Sequence, residues 1–152
     1  MINILAIIPA RSGSKGIKNK NIKLFNDKPL IYWSIKNAIE SKYINRVICS
    51  TDCKNIQNIA NESGAETPFL RPKEISQDLS TDYEFIKHCL DYLLKNEKYK
   101  PDIIVQLRPT YPTRKTKLLD ETIELFINNI DNYDSLKNII KFYKSPFKMY
   151  TI

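Results

Sequence analysis

Short apolar runs alternate with helical patterns along this chain, and the alternation limits the fold more than any other feature. Residues 3–9 (NILAIIP) and 102–107 (DIIVQL) are nearly unbroken apolar runs of strand length. The first run is typical of a central strand that is covered on both faces of a parallel sheet, and the second predicts another strand. Residues 46–51 (RVICST) and 67–70 (TPFL) are predicted to form further strands, and residues 135–142 (SLKNIIKF) a strand that enters another region.

Four helical patterns lie between these runs. Apolar residues recur at helical spacing after Pro29, which is suited to a first helical position, and again through residues 85–94 and 119–130. A shorter helix is predicted over residues 55–63, with Gly64 as its stop. Strands spaced by such helices form right-handed βαβ units. The predicted fold class is α/β with a doubly wound, mostly parallel sheet, in a single domain over residues 1–152.

Composition restricts where the chain works. No apolar run approaches the roughly 20 residues that span a bilayer, and the N-terminus lacks the pattern of a signal peptide, so we expect a cytoplasmic protein. The three cysteines, Cys49, Cys53 and Cys89, form no paired framework and are expected to be reduced thiols. The alternative of a metal-ligand pair at Cys49 and Cys53 stays open.

The net charge of +7 is concentrated in one segment. Six lysines and arginines lie within residues 11–28 against a single acid, Asp27, which gives a local charge of +5. Charge confined to one loop suits a compact polyanion such as a triphosphate better than a nucleic-acid backbone. Glycines and serines in residues 10–21 would let backbone amides and hydroxyls face an anion, although a solvated basic loop is the alternative. The spacing fits neither a Walker A loop nor G-x-G-x-x-G.

Ligands of open α/β sheets bind beyond the carboxyl ends of the strands. The loops after Pro9, Thr51, Leu70 and Leu107 are therefore expected to face one crevice. Asp52 follows one of these strands, where it could approach the crevice, although capping of the next helix is its expected role.

A long signature carries a family resemblance. The run IIPARSGSKGIKNKNIKLFNDKPLIYWSI, followed by VICSTD, FLRPKEISQD, LRPTYPTR and SPFKMY, resembles the acylneuraminate cytidylyltransferases, or CMP-sialic-acid synthetases. The resemblance covers essentially the whole chain. It implies a Rossmann-like nucleotidyltransferase fold and an enzyme of surface glycan synthesis. Such an enzyme joins the cytidylyl group of CTP to a sialic-acid-like (nonulosonic) sugar acid and releases pyrophosphate.

The resemblance also implies roles for individual residues. Those that would hold the triphosphate are Arg11, Ser14, Lys15 and Lys20, and those that would bind the cytidine portion are Asn21, Arg71 and Ser80. The residues on the sugar side would be Asp82, Arg108, Thr110 and Tyr111.

Three of these positions depart from the family pattern. Asp82 stands where many relatives carry serine, and Arg108 and Tyr111 replace a glutamine and a serine. A guanidinium at position 108 could pair with an acceptor carboxylate, which favours an acidic sugar other than ordinary sialic acid. The alternative is that Arg108 only braces the crevice.

Relatives use Mg²⁺, and the resemblance implies that a metal-binding aspartate pair, a further arginine and a dimerisation arm follow Ile152. No metal ligand is therefore assigned within the chain, and its catalytic residues are expected beyond it. We expect a truncated chain with weak nucleotide binding and little turnover, and a homodimer only for full-length relatives. The expected ligands are CTP and an acidic sugar, with no nucleic-acid or membrane partner. Two alternatives remain: a catalytically inactive nucleotide- or sugar-binding module, and a nucleic-acid-binding α/β domain.

Overall fold

The structure is a computed structural model that describes residues 2–139. Five strands and four α-helices follow one another within these residues. They are β1 (Ile4–Pro9), β2 (Leu24–Phe25), β3 (Lys28–Pro29), α1 (Leu30–Glu40), β4 (Arg46–Ser50), α2 (Lys54–Glu62), α3 (Asp82–Glu97), β5 (Ile103–Gln106) and α4 (Thr116–Ile127). The predicted α/β class is confirmed.

Strand β1 is the centre of the main sheet. Both neighbours, β4 and β5, run parallel to it, in the order β4-β1-β5. The register places Ala6 opposite Val47 on one side and opposite Val105 on the other. All three strands therefore end at the same edge of the sheet.

Alternate residues of β1 enter two different cores. Ile4, Ala6 and Ile8 face the core that includes residues of α1, α2 and α4, whereas Leu5 and Ile7 face the core that includes residues of α3. All five side chains are at most 2% exposed. Burial of an isoleucine or leucine contributes about 1.5–3 kcal/mol, so both faces of the strand must be apolar. This explains the unbroken apolar run.

The four predicted helices are present with small shifts of their ends. Helix α1 begins at Leu30, one residue after the proline proposed as its first position. Helix α3 begins after Thr81, whose backbone N–H donates to the Glu84 carboxylate as in a capping box. Gly64 follows α2 with a φ of 98°, as a glycine that ends a helix does.

One strand prediction is wrong, and another is contradicted over the part that the structure describes. Residues 67–70 form no strand; the chain makes one bridge between Glu66 and Ile48 and then leaves β4. Pro68 has no N–H to continue the ladder, and the next ordered backbone contact is the Arg71 N–H donating to the Thr51 carbonyl at 2.7 Å. The other strand was predicted over residues 135–142. Residues 135–139 form no strand, and residues 140–142 lie outside the described residues.

The sequence reading missed a small hairpin. Strands β2 and β3 are antiparallel and are connected by Asn26 and Asp27, whose φ angles of 49° and 59° suit a tight turn. The Trp33 indole donates to the Phe25 carbonyl at 2.9 Å and ties this hairpin to α1. Two short 3-10 helices, Lys20–Ile22 and Lys73–Ile75, were also not predicted. No helix within residues 2–139 is long and apolar enough to cross a membrane.

Candidate functional site

A crevice of about 270 Å³ lies at the edge of the sheet where β1 and β5 end. Its walls come from the loop after β1, the segment before α3, the start of α3 and the loop after β5. The lining residues are Pro9, Arg11, Ser14, Lys20, Asn21, Arg71, Ile75, Gln77, Asp78, Ser80, Thr81, Asp82, Phe85, Arg108, Pro109 and Thr110. Four of these side chains are cationic and two are carboxylates, so the crevice is suited to an anion.

Nine of the eleven residues predicted for the site line this crevice. The two that do not are Lys15 and Tyr111. The Lys15 ammonium lies 2.7 Å from Asp78, which is a lining residue, while Tyr111 is 53% exposed with the Arg114 guanidinium 5.4 Å from its ring centroid. The structure thus brings together loops that are distant in sequence, as expected for the carboxyl edge of a parallel sheet.

The basic loop after β1 is fixed at two points. The Ser12 backbone N–H and hydroxyl each donate to the Asp52 carboxylate at 2.8 Å. The buried Asn21 side chain donates to the Arg11 carbonyl at 2.9 Å. The expectation that Asp52 caps α2 is therefore wrong: Cys53 is the N-cap residue and makes no side-chain capping bond. Asp52 instead anchors the loop, because the parallel register brings the ends of β1 and β4 together.

Arg71 is almost fully buried, with 5% of its surface exposed. Its guanidinium donates to the Ser50 hydroxyl at 3.0 Å and to the Ser50 carbonyl, and lies 4.9 Å from the Phe85 ring centroid. Burial lowers the pKa of Arg71, and the nearby charge of Asp52 opposes that shift. The result is a rigid cation at the base of the crevice.

The two crevice carboxylates are both engaged by cations. One oxygen of Asp78 accepts from Arg11 and the other from Lys15, each at 2.7 Å. Lys15 and Arg11 both hold the pKa of Asp78 below its ordinary value, so this carboxylate is ionised at neutral pH. Sequence reading did not assign Asp78; its place in the RPKEISQD motif was the available signal.

On the opposite side, Asp82 pairs with Arg108. The Arg108 guanidinium and the Gln106 amide both donate to one oxygen of Asp82, the latter at 3.1 Å. Two positions that depart from the family pattern are therefore in direct contact.

The backbone of the Arg108 loop is held from below. The Arg108 carbonyl accepts from the buried Ser34 hydroxyl at 3.2 Å and from the Arg114 guanidinium at 3.3 Å. Burial lowers the pKa of Arg114. These bonds fix the loop that presents Arg108 and Thr110, and neither Ser34 nor Arg114 was assigned from sequence.

The described residues do not supply a magnesium site of their own. Residues 2–139 contain no group of three or more histidine, cysteine, aspartate or glutamate side chains that could hold a metal ion. The carboxylates of Asp78 and Asp82 are paired with cations, and both oxygens of Asp52 accept from Ser12. Mg²⁺ is usually held by one or two carboxylates together with substrate phosphates, and each of these three carboxylates already has a partner.

A crevice at the carboxyl edge of a parallel sheet is where open α/β folds bind their ligands. A sequence profile described as cytidylyltransferase matches residues 5–150. The chain belongs to the cytidylyltransferase family.

Several characterised proteins are similar to it. An N-acylneuraminate cytidylyltransferase of Escherichia coli O18:K1:H7 is 36% identical over 91% of this chain and 31% of its own length. A CMP-N,N'-diacetyllegionaminic acid synthase of Legionella pneumophila is 38% identical, and a pseudaminic acid cytidylyltransferase of Campylobacter jejuni 37%, each over 82% of this chain and 53% of its own length. This chain therefore spans between about a third and about half of these relatives.

The fold recurs in a solved structure of CMP:2-keto-3-deoxy-manno-octonic acid synthetase complexed with CTP. The TM-score is 0.70 at 16% identity, over 84% of this chain and 48% of that one. The similarity shows that the sheet and its helices have the nucleotidyltransferase arrangement expected from the sequence.

Proposed function

We propose that this chain is the nucleotide-binding part of an enzyme that transfers a cytidylyl group from CTP to a sialic-acid-like, nonulosonic sugar acid, for surface glycan synthesis. The observation that carries the proposal is the convergence of nine predicted site residues on one basic crevice of a cytidylyltransferase fold. The relatives above are named for three different sugar acids of this kind, which supports the acceptor class.

The loop after β1 is the proposed triphosphate site. Arg11, Ser14 and Lys20 line the crevice, and Lys15 is one ion pair away from it. In the reaction the anomeric hydroxyl of the sugar acid attacks the α-phosphate, and the bond from that phosphorus to the pyrophosphate oxygen breaks. Fixed cations near the departing pyrophosphate stabilise the charge that develops there.

The cytidine portion is assigned to the wall that contains Asn21, Arg71 and Ser80. Arg71 is held by two bonds to Ser50, so its position does not depend on the ligand. Ser80 lies in a turn in which its hydroxyl accepts from the Gln77 N–H at 2.9 Å. A rigid wall of this kind orients the nucleoside so that the α-phosphate faces the acceptor.

The sugar acid is assigned to the side formed by Asp82, Arg108, Thr110 and Tyr111. Arg108 is 61% exposed at its side chain although it pairs with Asp82, so part of the guanidinium faces the crevice. A guanidinium binds a carboxylate through two parallel hydrogen bonds, which matches an acidic acceptor. The Asp82 pairing also supports the alternative in which Arg108 braces the crevice, and a comparison of acceptors distinguishes the two.

Mg²⁺ belongs to the proposal as the metal that the family resemblance implies. The described residues do not assemble its ligands. We therefore assign it no step in this chain.

Calorimetry on the 152-residue chain tests the nucleotide assignment. CTP with Mg²⁺ is expected to bind more tightly than ATP, and Arg11→Ala and Lys20→Ala are each expected to weaken CTP about tenfold or more, because each removes a charge-assisted phosphate contact. Lys117→Ala is the matched control, since Lys117 is an 88% exposed lysine of α4 outside the crevice. Absence of CTP binding, or equal effects of the three substitutions, would contradict the proposal.

Pyrophosphate release separates an enzyme from a binding module. With N-acetylneuraminic, legionaminic and pseudaminic acids as acceptors, release above background supports transfer by this chain. CTP binding without release for any acceptor supports the inactive module instead. A preference for plain N-acetylneuraminic acid counts against a selective role of Arg108.

A further inference from the structure

The phosphate side of the crevice holds an internal anion. The Asp78 carboxylate uses both oxygens, one for Arg11 and one for Lys15. These two cations come from the loop after β1, and Asp78 comes from the opposite wall, 67 residues later than Arg11. A carboxylate bridging two cations occupies the position that phosphate oxygens would take between the same two groups.

Asp78 lies in a turn that is closed largely by its own bonds. The Ser80 hydroxyl accepts from the Gln77 N–H, the Ser80 N–H donates to the Gln77 carbonyl at 3.2 Å, and the Gln77 amide donates to the Lys73 carbonyl at 2.6 Å. Within residues 2–139, the ion pairs that the turn of residues 77–80 makes across the crevice are those of Asp78. A ligand that breaks them leaves the other bonds of the turn intact.

We propose that Asp78 is a built-in counter-ion of the phosphate subsite, which an incoming anion must displace from Arg11 and Lys15. This inference rests on the proposed function, because it takes the loop after β1 as the phosphate site. Displacement costs the same two ion pairs for every ligand. Orthophosphate replaces the two ion pairs with contacts of about the same strength. A triphosphate is longer and also reaches Lys20, so its additional contacts exceed the cost of displacement.

The exposure of the groups fits reversible displacement. The side chains of Arg11 and Asp78 are 31% and 36% exposed, and that of Lys15 is 80% exposed. Ion pairs at such exposure are weak, so a ligand with several charges can replace them. A buried pair would be too costly to open.

Inorganic tripolyphosphate and orthophosphate are the probes, because neither depends on recognition of cytidine. In calorimetry on the full chain, Asp78→Asn is expected to tighten both by roughly three- to tenfold, the effect of losing two exposed ion pairs from the free state. Asp91→Asn is the matched control: it removes the same charge from an exposed aspartate of α3 that pairs with Lys87 outside the crevice. It is expected to leave both affinities unchanged.

Unchanged or weaker binding by Asp78→Asn would overturn the inference, because Asp78 would then position the cations instead of competing for them. Equal tightening by Asp91→Asn would overturn it as well. A second readout needs no variant: the NMR titration of the Asp78 carboxyl group should shift to higher pH when tripolyphosphate binds, and no shift would contradict displacement. If these results hold while CTP binds no better than tripolyphosphate, the cytidylyl proposal fails and the counter-ion remains.

Discussion

At position 71 a guanidinium lies at the base of the crevice with very little access to solvent. Its Nε and one terminal nitrogen both reach Ser50 at the end of β4. Hydrogen bonds from a charged donor contribute about 1.5–3 kcal/mol each, which must offset the cost of removing the charge from water. The guanidinium of Arg71 therefore ties the segment before α3 to the sheet, which is a structural role in addition to the ligand-binding role proposed for it.

Arg71→Met is predicted to lower the free energy of unfolding by about 1–3 kcal/mol, because the two bonds to Ser50 and the contact of the guanidinium with the Phe85 ring are lost. Urea denaturation measures the effect. Arg71→Lys keeps the charge but loses the planar guanidinium, and its free energy of unfolding is expected to lie between those of the original chain and of Arg71→Met. A Met variant as stable as the original chain would mean that desolvation cancels the hydrogen bonds.

At the scale of elements, β1, β5 and the four helices were predicted correctly from the sequence. The apolar runs of β1 and β5 and the helical spacing of α1 to α4 depend on local periodicity, which the sequence carries. The strand predicted over residues 67–70 failed because pairing depends on a partner, and Pro68 cannot donate to one. The β2–β3 hairpin was missed because it rests on two left-handed residues, Asn26 and Asp27, instead of on an apolar pattern.

The end of α2 offers a test of element-level packing. Gly64 has a φ of 98°, and a Cβ added there would lie 2.7 Å from the Ile39 Cδ1 atom of α1. Gly64→Ala is therefore predicted to cost about 1–2 kcal/mol of unfolding free energy for the backbone alone, with a further loss as Ile39 moves. Gly16→Ala is the control, because no heavy atom lies within 4 Å of its added Cβ. Equal stability of the two variants in urea would contradict the predicted backbone strain at position 64.

At the scale of the whole molecule, the site was easier to predict than its internal bonds. Parallel strands must end at one edge, so the loops after β1 and β5 had to meet with Arg71 between them. The partners of those residues could not be read from the sequence, because Asp78 with Lys15 and Asp82 with Arg108 depend on how far each loop folds back. The order of the strands in the sheet determines which loops line the crevice. The conformations of those loops and their side chains determine which ion pairs form.

The two cores share β1, and each contains one buried cysteine. The reactivity of these two cysteines therefore shows whether the two cores open together. Cys49 lies in the core with α1, α2 and α4, and Cys89 in the core with α3; neither is exposed, and burial raises the pKa of each to about 12. The thiolate is the reactive form, so both are protected at pH 8, whereas the half-buried Cys53 is accessible.

Alkylation at pH 8 followed by mass spectrometry should therefore modify Cys53 first and the other two much later, while all three react together in urea. Cys53→Ser should remove the fast phase alone. Because alternate residues of β1 belong to both cores, the sheet cannot lose one core and keep the packing of the other. Cys49 and Cys89 should then be modified at one common rate, set by global opening. A faster Cys89 would show that α3 detaches separately, and with it the wall that carries Asp82.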